Sequence, residues 1–112
     1  MLPKSQRLNL KTDFKWVAAG KKIEGKYLKL FLRMGENQIA RVGIALSSKN
    51  FKKATDRNRA KRLTSQAFQS IFHLLPLSIN IIALPKTGAD KVKSSDLLLD
   101  LEEVLKDEKI IN

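Results

Sequence analysis

The sequence contains no cysteine among its 112 residues, only three prolines and a single histidine. Without thiols, disulfides, thiolate metal sites and cysteine nucleophiles are excluded, and nothing indicates an oxidising compartment. The longest strongly apolar stretch, residues 74–84, is interrupted by Pro76, Ser78 and Asn80 and is too short to span a bilayer. The N-terminus also lacks the apolar core of a signal peptide. We therefore expect a cytoplasmic protein with no membrane association.

Acidic residues are scarce as well, with 11 Asp and Glu against 22 Lys and Arg and a net charge of +11. Residues 1–62 hold 17 basic and 4 acidic residues, whereas residues 63–112 hold 5 and 7. Such segregation favours a polyanionic partner such as a phosphate backbone, the alternative being a solvated basic face. No repeat, low-complexity tract or linker divides the chain, so we expect one domain over 1–112.

Groups that carry out bond-breaking chemistry are almost absent. His73 has no serine or cysteine partner at a recognisable spacing, and no glycine-rich phosphate loop is present. The acids Asp100, Glu103 and Asp107 recur at helical spacing, which predicts a solvated helix face rather than a metal site. We therefore predict no catalytic side chain and no metal ligand in the protein.

Hydrophobic periodicity predicts a small α+β fold. The predicted elements are a helix from Thr12 or Asp13 to about Ala19, strands at 26–34 and 41–47, a helix at 53–73, a strand at 78–85 and a helix that begins near Ser94. The first two strands flank a turn at Gly35 and are expected to pair as a hairpin. The strand at 78–85 has no polar face, which predicts a buried central position.

The densest chemical signal is the segment Lys52–Leu63, KKATDRNRAKRL. On a helical projection Asn58 and Arg62 lie opposite the apolar stripe, and Arg59 lies on one side of the helix. Three cations share the other side: Lys53, Arg57 and Lys61. Because like charges at this spacing repel, the pattern indicates an external anion, with an ordinary exposed helix face as the alternative. Arginine forks and the Asn58 amide suit contacts to nucleic acid.

A second signal is a predicted strand face on which aromatic and cationic side chains alternate: Tyr27, Lys29, Phe31 and Arg33. Such a face suits stacking of unpaired bases, because rings accept any base while cations follow the backbone. The alternative is that the rings are ordinary core residues. Phe14 and Trp16 on the first helix present the same choice, and Trp16 is the better candidate for contact.

The segment RNRAKRL, Arg57–Leu63, together with the preceding RVGIALSSKNFKKATD, resembles the signature of the bacterial ribonuclease P protein subunit. The opening LPKSQRLNLKTDFKWV and the later IIALPKTGAD are similar to that family in the same order. The resemblance implies a two-layer α/β sandwich of order α-β-β-β-α-β-α. Its four-stranded sheet would have a left-handed crossover, as in the second domain of ribosomal protein S5.

The resemblance also implies a function. The partners would be ribonuclease P RNA and precursor tRNA, with no obligate protein partner, and the holoenzyme would remove the 5′ leader. The RNA subunit would perform the catalysis with Mg²⁺ that it mainly holds itself. We considered two alternatives, a stand-alone RNA-binding module such as a ribosomal protein or RNA chaperone, and a DNA-binding repressor.

The candidate site residues form two groups. The predicted contacts to the RNA subunit are Lys49, Lys53, Arg57, Asn58, Arg59, Lys61 and Arg62. The predicted leader-binding cleft contains Phe14, Trp16, Tyr27, Phe31 and Lys86. Three positions depart from the family pattern, Ala18, Ser48 and Ser65, and these departures affect individual leader contacts more than the assignment.

Overall fold

The computed structural model describes residues 2–112, in which three α-helices and four strands follow the order α-β-β-β-α-β-α. The elements are α1 (Leu10–Ala18), β1 (Lys21–Glu24), β2 (Leu28–Met34), β3 (Arg41–Ile44), α2 (Ala54–Ile71), β4 (Ile79–Pro85) and α3 (Ser94–Asp107). Short 3₁₀ turns occupy Lys4–Gln6, Phe72–Leu74 and Ala89–Lys91. The element order implied by the family resemblance is confirmed.

The sheet order is β1-β2-β4-β3, so β4 lies between the two strands that were expected to form a hairpin. β4 runs antiparallel to β2 and parallel to β3, and α2 makes the crossover between β3 and β4. The predicted hairpin is therefore wrong. Because β4 is apolar on both faces, it is most stable at the centre of the sheet, covered on both sides and paired at both edges.

Helices α2 and α3 together cover one face of the sheet, which we call the inner face. Leu28, Leu30 and Leu32 of β2 point to this face and are buried against Phe68 of α2 and Leu101 of α3. The prediction of α2 is confirmed, since its apolar residues recur every three or four positions and face the sheet.

Helix α1 crosses the opposite, outer face. Val17 of α1 and Ile82 of β4 are buried there together with Leu8. The predicted N-cap of this helix is wrong: α1 begins one turn earlier, where the side chain of Asn9 accepts a hydrogen bond from the backbone N–H of Lys11 at 3.1 Å. Asp13 lies in the first turn instead. With only nine residues, α1 leaves part of the outer face uncovered.

The N-terminal segment protects the free edge of β3. The N–H of Leu8 donates to the carbonyl of Val42 at 3.1 Å, and Arg7 pairs with Val42 as an isolated parallel bridge. The side chains of Leu2 and Leu8 are buried. An edge strand left open would offer unpaired backbone groups to other chains, and this segment occupies part of that edge.

Asp100 of α3 was predicted to lie on a solvated acidic face, and for this residue the prediction is wrong. It is buried, and its carboxylate accepts hydrogen bonds from the backbone N–H groups of three consecutive residues: Lys26 (2.7 Å), Tyr27 (2.9 Å) and Leu28 (3.1 Å). Glu103 and Asp107 remain exposed. Helical spacing does not distinguish a buried acid from an exposed one, because the backbone donors that bind Asp100 belong to a turn more than seventy positions away.

Candidate nucleic-acid interface

The cations that precede and open α2 form a cluster, exposed apart from the half-buried Arg57, which we call the basic face. It consists of seven cations and one amide: Lys49, Lys52, Lys53, Arg57, Arg59, Lys61, Arg62 and Asn58. The three ion pairs found among residues 2–112 all lie elsewhere, on β1, after β4 and on α3. Asp56 lies in the first turn of α2, but within residues 2–112 no carboxylate forms an ion pair with a cation of the basic face, so its net positive charge is available to an external polyanion.

Two arginines of the basic face also hold local structure together. The guanidinium of Arg57 donates to the carbonyl oxygens of Phe51 (2.8 Å) and Lys52 (3.2 Å), which fixes the loop ahead of α2. On the other side of the helix, Nε of Arg59 donates to the carbonyl of Asp90 at 2.6 Å. These contacts agree with the helical projection, and each arginine keeps further N–H groups for a ligand.

Several side chains of the basic face have no hydrogen-bond or ion-pair partner among the described residues. Asn58, Lys61 and Arg62 are exposed, and within residues 2–112 their side chains have neither a hydrogen-bond nor an ion-pair partner. Lys53 immediately precedes α2, and Lys49 lies exposed in the loop between β3 and α2. The structure therefore places all seven predicted RNA-contacting residues in the N-terminal half of α2 and in the loop before it.

The uncovered part of the outer face forms a second surface, which we call the sheet cleft. Its apolar side chains are half-buried and come from four elements: Phe14, Phe31, Ala45 and Leu84. Strand register places three cations on the same face: Lys22, Lys29 and Arg33. The ammonium of Lys29 lies 5.5 Å from the centroid of the Phe31 ring. Rings and cations are thus interleaved, as predicted for this strand face.

Trp16 lies outside the apolar cluster of the sheet cleft and is 40% exposed. Its ring stacks on the guanidinium of Arg33, with 4.7 Å from Cζ to the ring centroid. Nη1 of Arg33 also donates to the carbonyl oxygen of Trp16 at 2.9 Å. Trp16 and Arg33 therefore form one unit beside the C-terminal end of β2.

Tyr27 does not belong to the sheet cleft, and its predicted placement beside Phe31 is corrected. It precedes β2, packs against the inner core and lies beside Asp100 of α3. The ammonium of Lys26 is 5.3 Å from its ring centroid. The period-two alternation fails here because the backbone of Tyr27 is held by Asp100 before the strand begins.

Lys86 lies at the end of β4 and is held by two acceptors. Its Nζ is 3.0 Å from Oε2 of Glu24 and 2.8 Å from the carbonyl oxygen of Gly25. Glu24 points to the outer face, and its pKa is lowered, first by its hydrogen bond and charge interaction with Lys86 and then by the charges of Lys22 and Lys29. The ammonium group of Lys86, which was predicted to contact the leader, is therefore already paired with the carboxylate of Glu24.

Glu24 and Leu84 were not predicted from the sequence as parts of a site. Leu84 belongs to a strand that is apolar on both faces, so its pattern does not show which face is open. Glu24 belongs to β1, whose position periodicity did not locate because only Ile23 of its four residues is buried. Among residues 2–112, no cluster of histidine, cysteine or acidic side chains is arranged to hold a metal ion, and no helix is long and apolar enough to cross a membrane.

Comparison with known proteins gives one consistent result. Residues 2–109 match the family model described as Ribonuclease P. The ribonuclease P protein component of Chromohalobacter salexigens is 37% identical over 97 residues, which cover 85% of this chain and 75% of the relative. The ribonuclease P protein component of Pseudanabaena sp. is 33% identical over 114 residues, which cover 100% of this chain and 98% of the relative. The solved ribonuclease P protein of Staphylococcus aureus superposes with a TM-score of 0.81 at 25% identity, covering 97% and 100%.

Proposed function

The chain belongs to the ribonuclease P protein family, and on that premise we propose that its two surfaces bind two different RNAs. The family supplies the protein subunit of the ribonucleoprotein endoribonuclease that processes the 5′ end of tRNA, and membership implies association with ribonuclease P RNA. In our proposal the basic face docks on that RNA, and the sheet cleft binds the single-stranded 5′ leader of precursor tRNA.

The observation that carries this proposal is the separation of the two surfaces by the sheet. Helix α2, with the basic face, packs on the inner face, whereas the sheet cleft lies on the outer face beside α1. One RNA can therefore occupy the basic face without covering the sheet cleft. The arrangement suits a subunit that joins a catalytic RNA to its substrate.

The two surfaces also differ in chemistry. The basic face presents cations and an amide without aromatic side chains, which suits phosphates and sugars of a structured RNA. The sheet cleft combines rings with cations, which suits stacking of unpaired bases. In this proposal Phe14 and Phe31 stack on leader bases, Trp16 supplies a further ring, and Lys86 exchanges its contact with Glu24 for a leader phosphate.

The chemical step is assigned to the RNA subunit in this proposal. Mg²⁺ is held mainly by that RNA, and the protein contributes no side chain to bond breaking. Its cations complement phosphates of both RNAs and so lower the counterion concentration needed to bring them together. The protein should consequently matter most when Mg²⁺ is scarce.

The first test is cleavage of precursor tRNA at low Mg²⁺ by a bacterial ribonuclease P RNA, with and without the protein. We expect a large protein-dependent rise in correct 5′ cleavage. No rise, together with tight binding to unrelated structured RNAs, would instead support a stand-alone RNA-binding module.

Two variants then separate the surfaces. Arg62→Gln removes a basic-face charge that has no internal partner, so it should weaken binding to the RNA subunit and lower the salt slope by about 1. Phe31→Leu keeps an apolar side chain but removes the ring, so it should weaken precursor tRNA binding without changing affinity for mature tRNA. Lys106→Gln, on α3, is the control for loss of one exposed charge. Equal effects of Arg62→Gln and Phe31→Leu on both RNAs would contradict the proposal that each surface binds a different RNA.

A further inference from the structure

A small cavity of about 130 Å³ opens beside the edge strand β3, between the N-terminal segment and α2. Its apolar walls come from Leu8, Leu10, Val42 and Ile44, and two cations, Arg7 and Lys61, line it from different elements. No acidic residue lines the cavity, and neither cation forms an ion pair among residues 2–112. The lining therefore combines apolar side chains and Ser65 of α2 with two positive charges.

The backbone around the cavity is fixed by specific contacts. Leu8 is hydrogen-bonded to Val42, and Nε of Arg7 donates to the carbonyl of Leu2 at 2.8 Å, which holds the guanidinium near the cavity. Gly43 forms part of the wall, and a Cβ there would lie 2.7 Å from Cδ2 of Leu10. The glycine thus lets α1 approach β3 closely and gives the cavity its shape.

The size and chemistry of the cavity favour one kind of occupant. Pockets that enclose a drug-sized molecule measure roughly 300 Å³ or more, so this cavity has room for a single planar ring and not for a chain segment. An apolar slot suits the faces of a nucleobase, while guanidinium and ammonium groups at its rim suit phosphates on either side.

The position of the cavity connects the two RNA-binding surfaces. Lys61 belongs to the basic face on the inner side of the sheet, whereas Leu10 opens α1 on the outer side. Because β3 is an edge of the sheet, a nucleic acid strand leaving the basic face for the sheet cleft along this edge passes the cavity.

We propose that this cavity receives one unstacked nucleobase of bound RNA, with Arg7 and Lys61 contacting the phosphates that flank it. The inference rests on the proposed function, since it needs the basic face to bind RNA. The base comes either from the RNA subunit or from precursor tRNA, and separate titrations with each RNA distinguish these sources.

The test fills the cavity and measures binding. Ile44→Phe places a ring in the slot from the wall, and Arg7→Gln removes one rim charge while keeping a donor for Leu2. We measure the affinity of the folded full-length variants for ribonuclease P RNA and for precursor tRNA. The RNA that supplies the base should bind Ile44→Phe about fivefold more weakly or worse, as expected for losing the apolar burial of one base, while the other RNA should bind normally. Arg7→Gln should weaken binding of the same RNA.

Controls keep this test separate from the proposed function and from misfolding. Leu98→Phe enlarges a half-buried side chain on α3 away from the cavity and should leave both affinities unchanged. If Arg62→Gln weakens binding but neither Ile44→Phe nor Arg7→Gln does, the cavity proposal is wrong and the docking proposal stands. If Arg62→Gln does not weaken binding either, the docking proposal is wrong, and the cavity proposal that rests on it is wrong as well. Should Ile44→Phe unfold the protein, the affinity of Arg7→Gln decides the outcome.

Discussion

Replacing Asp100 by asparagine should destabilise the protein more than any other single change among its acidic residues. Its Oδ1 accepts the N–H of Lys26, and its Oδ2 accepts those of Tyr27 and Leu28. An asparagine has one acceptor oxygen, so in either orientation its NH₂ group faces a backbone donor. At least one N–H therefore loses its acceptor, and the remaining bonds lose the assistance of a full negative charge.

The expected cost follows from these contacts. A hydrogen bond to a charged group contributes about 1.5–3 kcal/mol and an unsatisfied buried donor costs about 1–3 kcal/mol, so we expect Asp100→Asn to lower the free energy of unfolding by about 2–4 kcal/mol. A typical domain is stable by only about 5–15 kcal/mol, so such a loss is readily measured.

Urea denaturation followed by circular dichroism measures this free energy directly. The matched control is Asp107→Asn, the same substitution on the same helix at an exposed position, which should change stability by less than about 0.5 kcal/mol. If Asp100→Asn changes stability no more than Asp107→Asn, the carboxylate does not anchor α3 to the turn before β2.

Four further substitutions test the site and its support. Glu24→Gln should release Lys86 and tighten binding of a single-stranded RNA leader, whereas Lys86→Gln should weaken it; anisotropy titrations at several salt concentrations compare them. Because the pKa of Glu24 is lowered from 4.5, the stability from its pair with Lys86 is present above that value and lost as pH falls through the lowered pKa, a dependence that Glu24→Gln should remove. Gly25→Ala would place a Cβ 2.6 Å from Oδ1 of Asp100, so it should destabilise the protein, and less so in an Asp100→Ala background, as a double-mutant cycle can measure. Trp16→Ala should weaken leader binding, and unchanged affinity would remove Trp16 from the proposed interface.

The periodicity of apolar residues predicted those helices and strands whose burial pattern is contained in one continuous segment. Helix α2 follows from an apolar stripe at helical spacing, and the structure places its ends within two residues of the prediction. β4 follows from a short run that is apolar on both faces, and it is one of the two inner strands of the sheet, as expected. Both results arise because the period of the apolar residues is a local property.

Strand neighbours and buried polar contacts were not predictable in the same way. Alternation in β2 shows that one face is buried but not which strand lies beside it, so the expected hairpin was wrong once β4 took the central position. Tyr27 was placed with Phe31 by the same alternation, although Asp100 holds its backbone and its ring packs against the inner core. A carboxylate that is buried by distant amides has the same spacing as one that faces water.

The segregation of positive charge, the cations of α2 and the motif that indicates the family can be read from the sequence, because all three reside in continuous segments. The opposite placement of the basic face and the sheet cleft, the contact of Glu24 with Lys86 and the cavity beside β3 arise only from the packing of the elements. Each of these depends on residues far apart in the chain, such as Lys86 and Gly25, which are 61 positions apart. Contacts of this kind are set by how the elements pack together, and no local pattern records them.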